Sequence, residues 1–385
     1  MDADYIEYKR SLHLTELLDR SSYFLLGPRG TGKSFLIRQQ LADRALVINL
    51  LHNETRLRLL TDPSELNQMI AISNKKIVVI DEIQKVPELL DEVHHLIEEK
   101  KIRFLLTGSS ARRIKKANAN LLAGRAYNMN FHPLNTHEVK NFNLTKYLLY
   151  GGLPNAYRET KPSLYLSAYC NKYLEEEIQA EALTRNLAGF SRFLKTAALS
   201  SGQLINFTKL GRDAQVRPST VRSYYEILKD TLIGKTLESW RDSKNRKAIE
   251  TGKFYFFDIG VANYLSGFKA LPENSDIFGR AFEHFLFQEI QCYLDYTEAD
   301  EFFGFWRDVH GHEVDFLIGD EVAIEVKATK KVDAHDTKNL KILMDEKKFK
   351  NYYLITQDPI EKKMGAIQCL NWKTFCSRLW GGEII

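Results

Sequence analysis

Phe24-Leu25-Leu26-Gly27-Pro28-Arg29-Gly30-Thr31-Gly32-Lys33-Ser34-Phe35-Leu36 is the stretch whose reading decides the fold. An apolar run enters a glycine-rich turn and an amphipathic run leaves it, which reads as strand, loop and helix. Gly27, Gly32, Lys33 and Ser34 fill every fixed position of the G-x-x-x-x-G-K-[ST] pattern. Glycines let backbone N–H groups turn inward around a triphosphate with no Cβ in the way. A helix starting near Gly32 points its positive dipole end at the same anion. The pattern therefore assigns Gly27, Pro28, Arg29, Gly30, Thr31, Gly32, Lys33, Ser34 and Phe35 to ATP binding. Lys33 is expected on the β- and γ-phosphates and Ser34 on Mg²⁺.

The second half of this site is expected 48 residues after Lys33. Lys76-Ile77-Val78-Val79-Ile80 is short and β-branched, as in a buried parallel strand, and it ends in Asp81-Glu82. A carboxylate at the strand's C-terminal edge suits the Mg²⁺ shell, so Asp81 is the expected metal residue and Glu82 the base that polarises water. A third strand, Ile102-Arg103-Phe104-Leu105-Leu106, ends in Thr107-Gly108-Ser109-Ser110. Ser109 is the candidate γ-phosphate sensor; a strand-terminating turn is the alternative reading.

The chain has 385 residues, 44% of them hydrophobic and 27% charged, which suits a globular protein of two or three domains. A net charge of +4 permits a polyanionic partner without requiring one. Cys170, Cys292, Cys369 and Cys376 form no C-x-x-C pair, so neither a disulfide framework nor a zinc site is expected, and a reducing cytoplasm fits. Met1-Asp2-Ala3-Asp4 is followed by no apolar run, and no stretch is long enough to span a bilayer, so no leader and no membrane are expected.

Residues 5–20 carry Ile6, Leu12, Leu14, Leu17 and Leu18 at helical spacing, and Leu46 to Leu50 reads as a further strand. Strand and helix alternate to about residue 133, which implies a parallel sheet with helices on both faces. Between 100 and 125 lie Lys100, Lys101, Arg103, Arg112, Arg113, Lys115, Lys116 and Arg125. They read either as a nucleic-acid or phosphate surface or as a solvated helix face. Arg125 is the pointed candidate among them, an arginine finger acting in cis or on a neighbouring subunit.

Gly151-Gly152-Leu153-Pro154 breaks the chain, and helical segments over 163–185 follow as a candidate lid over the nucleotide, with Arg185 a further phosphate candidate. Helices at Phe190–Leu199, Phe207–Ala214 and Val221–Leu232, then strand-like runs Gly234–Trp240 and Lys253–Phe257, give winged-helix order. Arg217, Arg222 and Lys229 would then meet DNA, whereas other winged helices serve as protein contacts.

A second constellation lies further on. Ile277 to Phe287 is an amphipathic helix carrying Glu283; Phe303–Arg307 and His312–Ile318 read as a hairpin; Val322-Ala323-Ile324-Glu325-Val326-Lys327 follows. Residues two apart on a strand share a face, so Glu325 and Lys327 project together. Asp315 comes from the neighbouring strand and Glu283 from the helix. Oxygen ligands of this kind suit Mg²⁺ or Mn²⁺, with an ammonium to activate water. A salt-bridged sheet surface is the alternative.

The P-loop, Asp81-Glu82 and Thr107-Gly108-Ser109-Ser110 resemble the AAA-family ATPases of bacteria and archaea. Gly27-Pro28-Arg29, Leu122-Ala123-Gly124-Arg125, Gly151-Gly152-Leu153-Pro154 and Phe254-Tyr255-Phe256-Phe257-Asp258-Ile259-Gly260-Val261-Ala262 narrow the resemblance. With Glu283, Glu313-Val314-Asp315-Phe316 and Ile324-Glu325-Val326-Lys327, they resemble prokaryotic AAA ATPases of the STAND-like branch fused to a C-terminal domain of uncharacterised function. The resemblance implies that Gly152-Leu153-Pro154 is a lid motif near the nucleotide. It also implies a restriction-endonuclease-like C-terminal fold of the PD-(D/E)xK type, although Val314 stands where that motif has proline.

The expected fold class is α/β: a P-loop parallel-sheet ATPase core over 1–134, a helical lid over 135–186, a winged-helix module over 187–258 and an α/β nuclease-like domain over 259–385. The expected function is Mg²⁺-dependent ATP hydrolysis coupled to binding, remodelling or cleavage of DNA, branched DNA included. Glu82, Ser109, Arg125, Glu283, Asp315, Glu325 and Lys327 are the candidate catalytic residues beside Lys33. Ser34, Asp81, Glu283, Asp315 and Glu325 are the candidate metal ligands. The alternative is an ATP-dependent switch that contacts a protein partner without cutting, and a homo-oligomer is compatible with either.

Overall fold

Ser22–Leu26 forms strand β1, buried at every position. It earns that burial by lying inside a parallel sheet, with parallel neighbours on both sides. The computed structural model describes residues 8–110, 122–174, 186–240, 252–347 and 349–385, with backbone alone at 172–174. Arg112, Arg113, Lys115, Lys116, Arg185 and the last part of the expected lid, 175–185, lie outside the described residues. The chain divides into two compact units. The first runs to Leu134 and takes in Asp230–Ile233; the second comprises Asn135–Lys229 and Gly234–Ile385. The expected boundaries at 186/187 and 258/259 both fall inside the second unit.

In the first unit the elements are α1 (Leu14–Arg20), β1, α2 (Lys33–Leu41), β2 (Ala45–Asn49), α3 (Asn53–Thr61), α4 (Glu65–Ser73), β3 (Ile77–Asp81), α5 (Leu89–Lys100), β4 (Arg103–Gly108) and β5 (Ala126–Asn130). The five strands stand in the order β2-β3-β4-β1-β5, and all four pairings are parallel. Parallel pairing puts the C-terminal ends of β1, β3 and β4 at one edge. That edge is where an open α/β sheet offers a crevice. Val78, Val79 and Ile80 are wholly buried because helices cover both faces, each such side chain stabilising the unit by roughly 1.5–3 kcal/mol. Helix α1 is shorter than the apolar spacing over 5–20 implies, and residues 8–13 run irregularly before it.

The second unit opens with α6 (Leu144–Tyr150), α7 (Pro154–Arg158) and α8 (Pro162–Ala168). Three helices follow, α9 (Leu187–Leu199), α10 (Phe207–Ala214) and α11 (Pro218–Asp230), then β6 (Gly234–Ser239) and β7 (Lys253–Phe256). Phe190, Phe193, Tyr224, Tyr225 and Phe254 stack edge to face where helices and hairpin meet. Then come α12 (Ile259–Ser266), α13 (Asp276–Tyr296), β8 (Phe303–Arg307), β9 (Glu313–Ile318), β10 (Val322–Val326), α14 (Lys338–Glu346), β11 (Asn351–Thr356), β12 (Lys362–Met364), β13 (Ile367–Asn371) and α15 (Trp372–Trp380). Asn143, Asn186, Asn206, Asp258, Ser275 and Asn371 each cap a helix with a side-chain oxygen. One eight-stranded sheet, ordered β12-β13-β11-β10-β9-β8-β6-β7, runs through this unit. The β6–β7 hairpin joins it where Glu238 and Ser239 pair with Gly304 and Phe305.

Candidate nucleotide site and carboxylate cluster

The loop between β1 and α2 turns at Gly30 and Gly32, whose φ values of 82° and 102° suit glycine. Its first residue is tied to the end of β4, the Gly27 N–H donating to the Gly108 carbonyl at 3.2 Å. The Thr31 hydroxyl closes the turn on the Pro28 carbonyl at 2.8 Å. Lys33, buried, folds its ammonium into the loop on the carbonyls of Gly27 at 2.5 Å and Pro28 at 3.1 Å. Arg29 and Ser34 face solvent, and Phe35 is half-buried.

Asp81 ends β3 two strands from β1, and β4 bridges the gap. The Ser34 hydroxyl donates to Asp81 Oδ2 at 3.3 Å. The Thr107 hydroxyl donates to Asp81 Oδ1 at 2.5 Å, and the Glu82 N–H donates to Thr107 Oγ1 at 3.1 Å. A hydroxyl and one carboxylate oxygen so placed are a donor set for Mg²⁺, which takes one or two protein oxygens beside phosphates and water. Glu82 sits at φ 64°, a strained left-handed position for a side chain with a Cβ. Its carboxylate accepts from the Gln84 amide and from Ser109 Oγ at 3.3 Å. The structure thus brings Ser34, Asp81, Glu82 and Ser109 to one edge.

Three contributors escaped sequence reasoning. Thr107 and Gln84 sit on the expected strand and just past it, but nothing in their spacing marks them. Arg10 precedes α1 and is 3% exposed. It donates to the Thr31 carbonyl at 2.7 Å, to His132 at 2.7 Å and to Pro133 at 3.4 Å. Its guanidinium lies 4.1 Å from the Phe131 ring centroid. The irregular path of residues 8–13 is what lets this side chain reach the back of the loop.

Arg125 requires correction as a finger acting within its own chain. It immediately precedes β5, whose register pairs Ala126 with Ser22 and Asn130 with Leu26. Arg125 therefore lies at the start of the strands, whereas the P-loop follows their ends, roughly 15 Å further at about 3.3 Å per residue. It is paired instead with Glu98, whose carboxyl its guanidinium holds below the usual range.

In the second unit Asp315 and Glu325 come from adjacent antiparallel strands whose register pairs Phe316 with Ile324. Burial first, then the repulsion of Glu325 and Glu283, pushes the Asp315 carboxyl well above its ordinary range. Burial likewise raises Glu325, against the pull of Lys327. Lys327 Nζ lies 2.7 Å from Glu325 Oε1, and Asn339 donates to the same oxygen at 3.1 Å. Asp315 Oδ2 accepts the Val326 N–H at 2.8 Å.

The expected three-ligand set is not assembled. Among the described residues no group of three or more His, Cys, Asp or Glu side chains is arranged to hold a metal. Lys253, which opens β7, holds Glu283 Oε1 at 2.9 Å. Glu283 also accepts from the Tyr255 hydroxyl at 2.5 Å. Burial works against the Lys253 charge, yet Glu283, Asp315 and Glu313 outweigh it and hold the ammonium above its usual range. A lone cation at the head of an all-apolar strand was the available signal.

Of the basic residues on α11 and its approach, Arg217 and Arg222 are exposed. Arg222 stacks 4.0 Å from the Phe207 ring centroid, and Lys229 pairs with Glu226 at 2.6 Å. The Gly151-Gly152-Leu153 turn wraps Asp258: the Gly152 N–H donates to its carboxylate at 2.8 Å and the Val261 N–H at 3.0 Å.

No helix among the described residues is long and apolar enough to cross a membrane. The chain is 24% identical over 338 residues to the uncharacterized protein MJ1544 of Methanocaldococcus jannaschii, which covers 79% of this chain and 73% of that protein. Residues 141–271 and 278–375 match two further family models, each described only as a domain of unknown function. Residues 19–140 match the family model of an AAA domain, and this match, with the loop and its carboxylates, supports an AAA-family ATPase.

Proposed function

We propose that the first unit binds and hydrolyses ATP with Mg²⁺, and that the nucleotide state governs how the second unit engages nucleic acid, DNA foremost. The observation supporting the reading is the convergence of Ser34, Asp81 and Glu82 on one sheet edge, Ser34 bonded directly to Asp81 and the Thr107 hydroxyl joining Asp81 to the Glu82 backbone. In this reading Ser34 and Asp81 hold the metal, which neutralises charge on the β- and γ-phosphates. Lys33 leaves the carbonyls of Gly27 and Pro28 for the phosphates. Glu82, held by Gln84, orients water and takes its proton, and Ser109 meets the γ-phosphate. Arg217, Arg222 and Lys229 meet the DNA backbone, while Asp315 and Glu325 hold Mg²⁺ or Mn²⁺ beside Lys327. The four cysteines, all buried and free, support a reducing, cytoplasmic setting.

Lys33→Ala should abolish nucleotide binding and Glu82→Gln should bind ATP without turning it over; undiminished hydrolysis in either refutes the site. ATPase rates measured with linear, single-stranded and branched DNA should rise with one of them. Binding through several phosphates should weaken log-linearly with salt.

A second reading is an ATP-dependent switch in which the second unit contacts a protein and cuts nothing. It is favoured by the engagement of Glu283 with Lys253 and of Lys229 with Glu226. DNA affinity indifferent to salt, and no cutting that Asp315→Ala removes, would select it.

A further inference from the structure

Lys253 has a side chain 3% exposed and three carboxylates about its ammonium. Nζ lies 2.9 Å from Glu283 Oε1, 2.6 Å from Glu313 Oε1 and 3.7 Å from Asp315 Oδ1. Glu313 is fully engaged, because its other oxygen accepts from Arg307 at 2.8 Å. Two carboxylates stand outside this clamp. Asp315 keeps Oδ1 with only the long contact to the lysine. Glu325, 1% exposed, has a buried Oε2 without a hydrogen-bond partner. An unpartnered buried carboxylate oxygen is costly and is where a cation would be taken up. Four carboxylates, Glu283, Glu313, Asp315 and Glu325, are gathered around three cationic side chains, Lys253, Lys327 and Arg307.

We propose that Lys253 is a resident cation filling the second-ion position of this cluster, so that the cluster takes one divalent ion, on Asp315 and Glu325, and not two. The inference rests on the reading that these carboxylates bind a divalent ion, and it adds the ion count and the role of the lysine. The ammonium cannot readily leave. Its stem is buried, and beside it lie the Phe305 ring at 5.4 Å and the Tyr255 hydroxyl, which is itself committed to Glu283. A second divalent ion, at the roughly 4 Å spacing of two-metal sites, would have to share Glu283 with a charge of its own sign. Because Lys253 opens β7, the hairpin strand supplies part of the site. The ligand class that matches one hard ion beside the accessible Lys327 ammonium is a phosphodiester.

Manganese binding to the full chain without nucleotide, counted by electron paramagnetic resonance, tests this. The expected result is one ion per chain that Asp315→Asn abolishes and Glu283→Gln weakens by less than about threefold. Lys253→Met should admit a second ion; if that variant fails to fold, Glu283→Gln decides alone. Two ions in the wild type, or a tenfold loss in Glu283→Gln, overturns the proposal by making Glu283 a ligand. No ion in the wild type and one in Lys253→Met overturns it differently, because the lysine then replaces the metal altogether. No ion in any protein removes the underlying metal reading together with it. All counts are made in the Asp81→Asn background, so that the Ser34–Asp81 pair contributes no ion to them.

Discussion

Thr107 Oγ1 lies 2.5 Å from Asp81 Oδ1, across the β3–β4 pairing. The same hydroxyl accepts the Glu82 N–H at 3.1 Å, so one oxygen fixes both the carboxylate that faces Ser34 and the backbone that aims Glu82. A strand inserted between β1 and β3 separates the loop from the acidic pair, and its polar residue restores the link.

Thr107→Val keeps the volume and deletes that link. Asp81 Oδ1 and the Glu82 N–H each lose a partner in a buried setting, at a cost of about 1–3 kcal/mol apiece. The expected outcome is a loss of roughly 10–100-fold in kcat with MgATP, while ATP affinity measured without metal changes little. Steady-state kinetics paired with metal-free ATP titration check it; an unchanged kcat would remove Thr107 from the mechanism.

Arg10 acts at the other side of the loop. It donates to three carbonyls, of Thr31, His132 and Pro133, and so ties the P-loop to the segment after β5. Arg10→Met leaves those carbonyls unpaired and should lower stability by about 2–4 kcal/mol. KM for ATP should rise about tenfold with kcat largely kept. Arg10→Lys should rescue little, because an ammonium lacks the planar fork that reaches separated acceptors. Denaturant titration and ATP kinetics on both variants give the comparison.

How much of this was legible in the sequence depends on the range over which each chemistry acts. The P-loop spacing is local, so Gly27 to Ser34 could be read residue by residue, and Asp81 followed from a buried strand ending in acid. That Arg125 lies away from the loop of its own chain was not legible, because proximity in sequence to Ser109 hides the direction of the chain: Ser109 follows the end of β4, whereas Arg125 precedes the start of β5. Asp315 and Glu325 were readable as neighbours from strand alternation. Their surroundings were not, since Lys253 reaches them from a strand 62 residues before Asp315. The Gly151-Gly152 turn was legible as a chain break, but its tie to Asp258 spans 106 residues.

That tie predicts a strong local effect. Gly151 has φ 75°, and a Cβ there would lie 2.1 Å from Asp258 Oδ1. The carboxylate cannot move away without giving up the backbone N–H donors of Gly152, Leu153, Gly260 and Val261 that hold it. Gly151→Ala should therefore destabilise the second unit by about 3 kcal/mol or more. Thermal unfolding should show a lowered midpoint for that unit with nucleotide affinity preserved; an unchanged midpoint would mean that the turn relaxes freely.

Glu289 carries a pH dependence whose sign can be worked out. It is buried, and accepts the Thr136 N–H at 2.7 Å, the Thr136 hydroxyl at 2.9 Å and the Trp380 Nε1–H at 3.0 Å. Burial, only partly offset by those donors, raises its pKa from 4.5 to about 7. Between these values the folded chain keeps a proton that the unfolded chain has released. Its contribution to stability therefore falls as pH rises through that window and is flat above it. His284, on the same helix, is held neutral with its pKa lowered from 6.5 to about 4, so its contribution falls as pH drops through an overlapping window. The two slopes oppose, which masks each in the wild type. Glu289→Gln isolates the acid: relative to wild type, its stability should improve by roughly 2–3 kcal/mol between pH 5 and pH 8, at about 1.4 kcal/mol per unit over the titrating span. Urea midpoints at several pH values measure the difference. A difference independent of pH would show that Glu289 ionises in the fold as it does in the open chain.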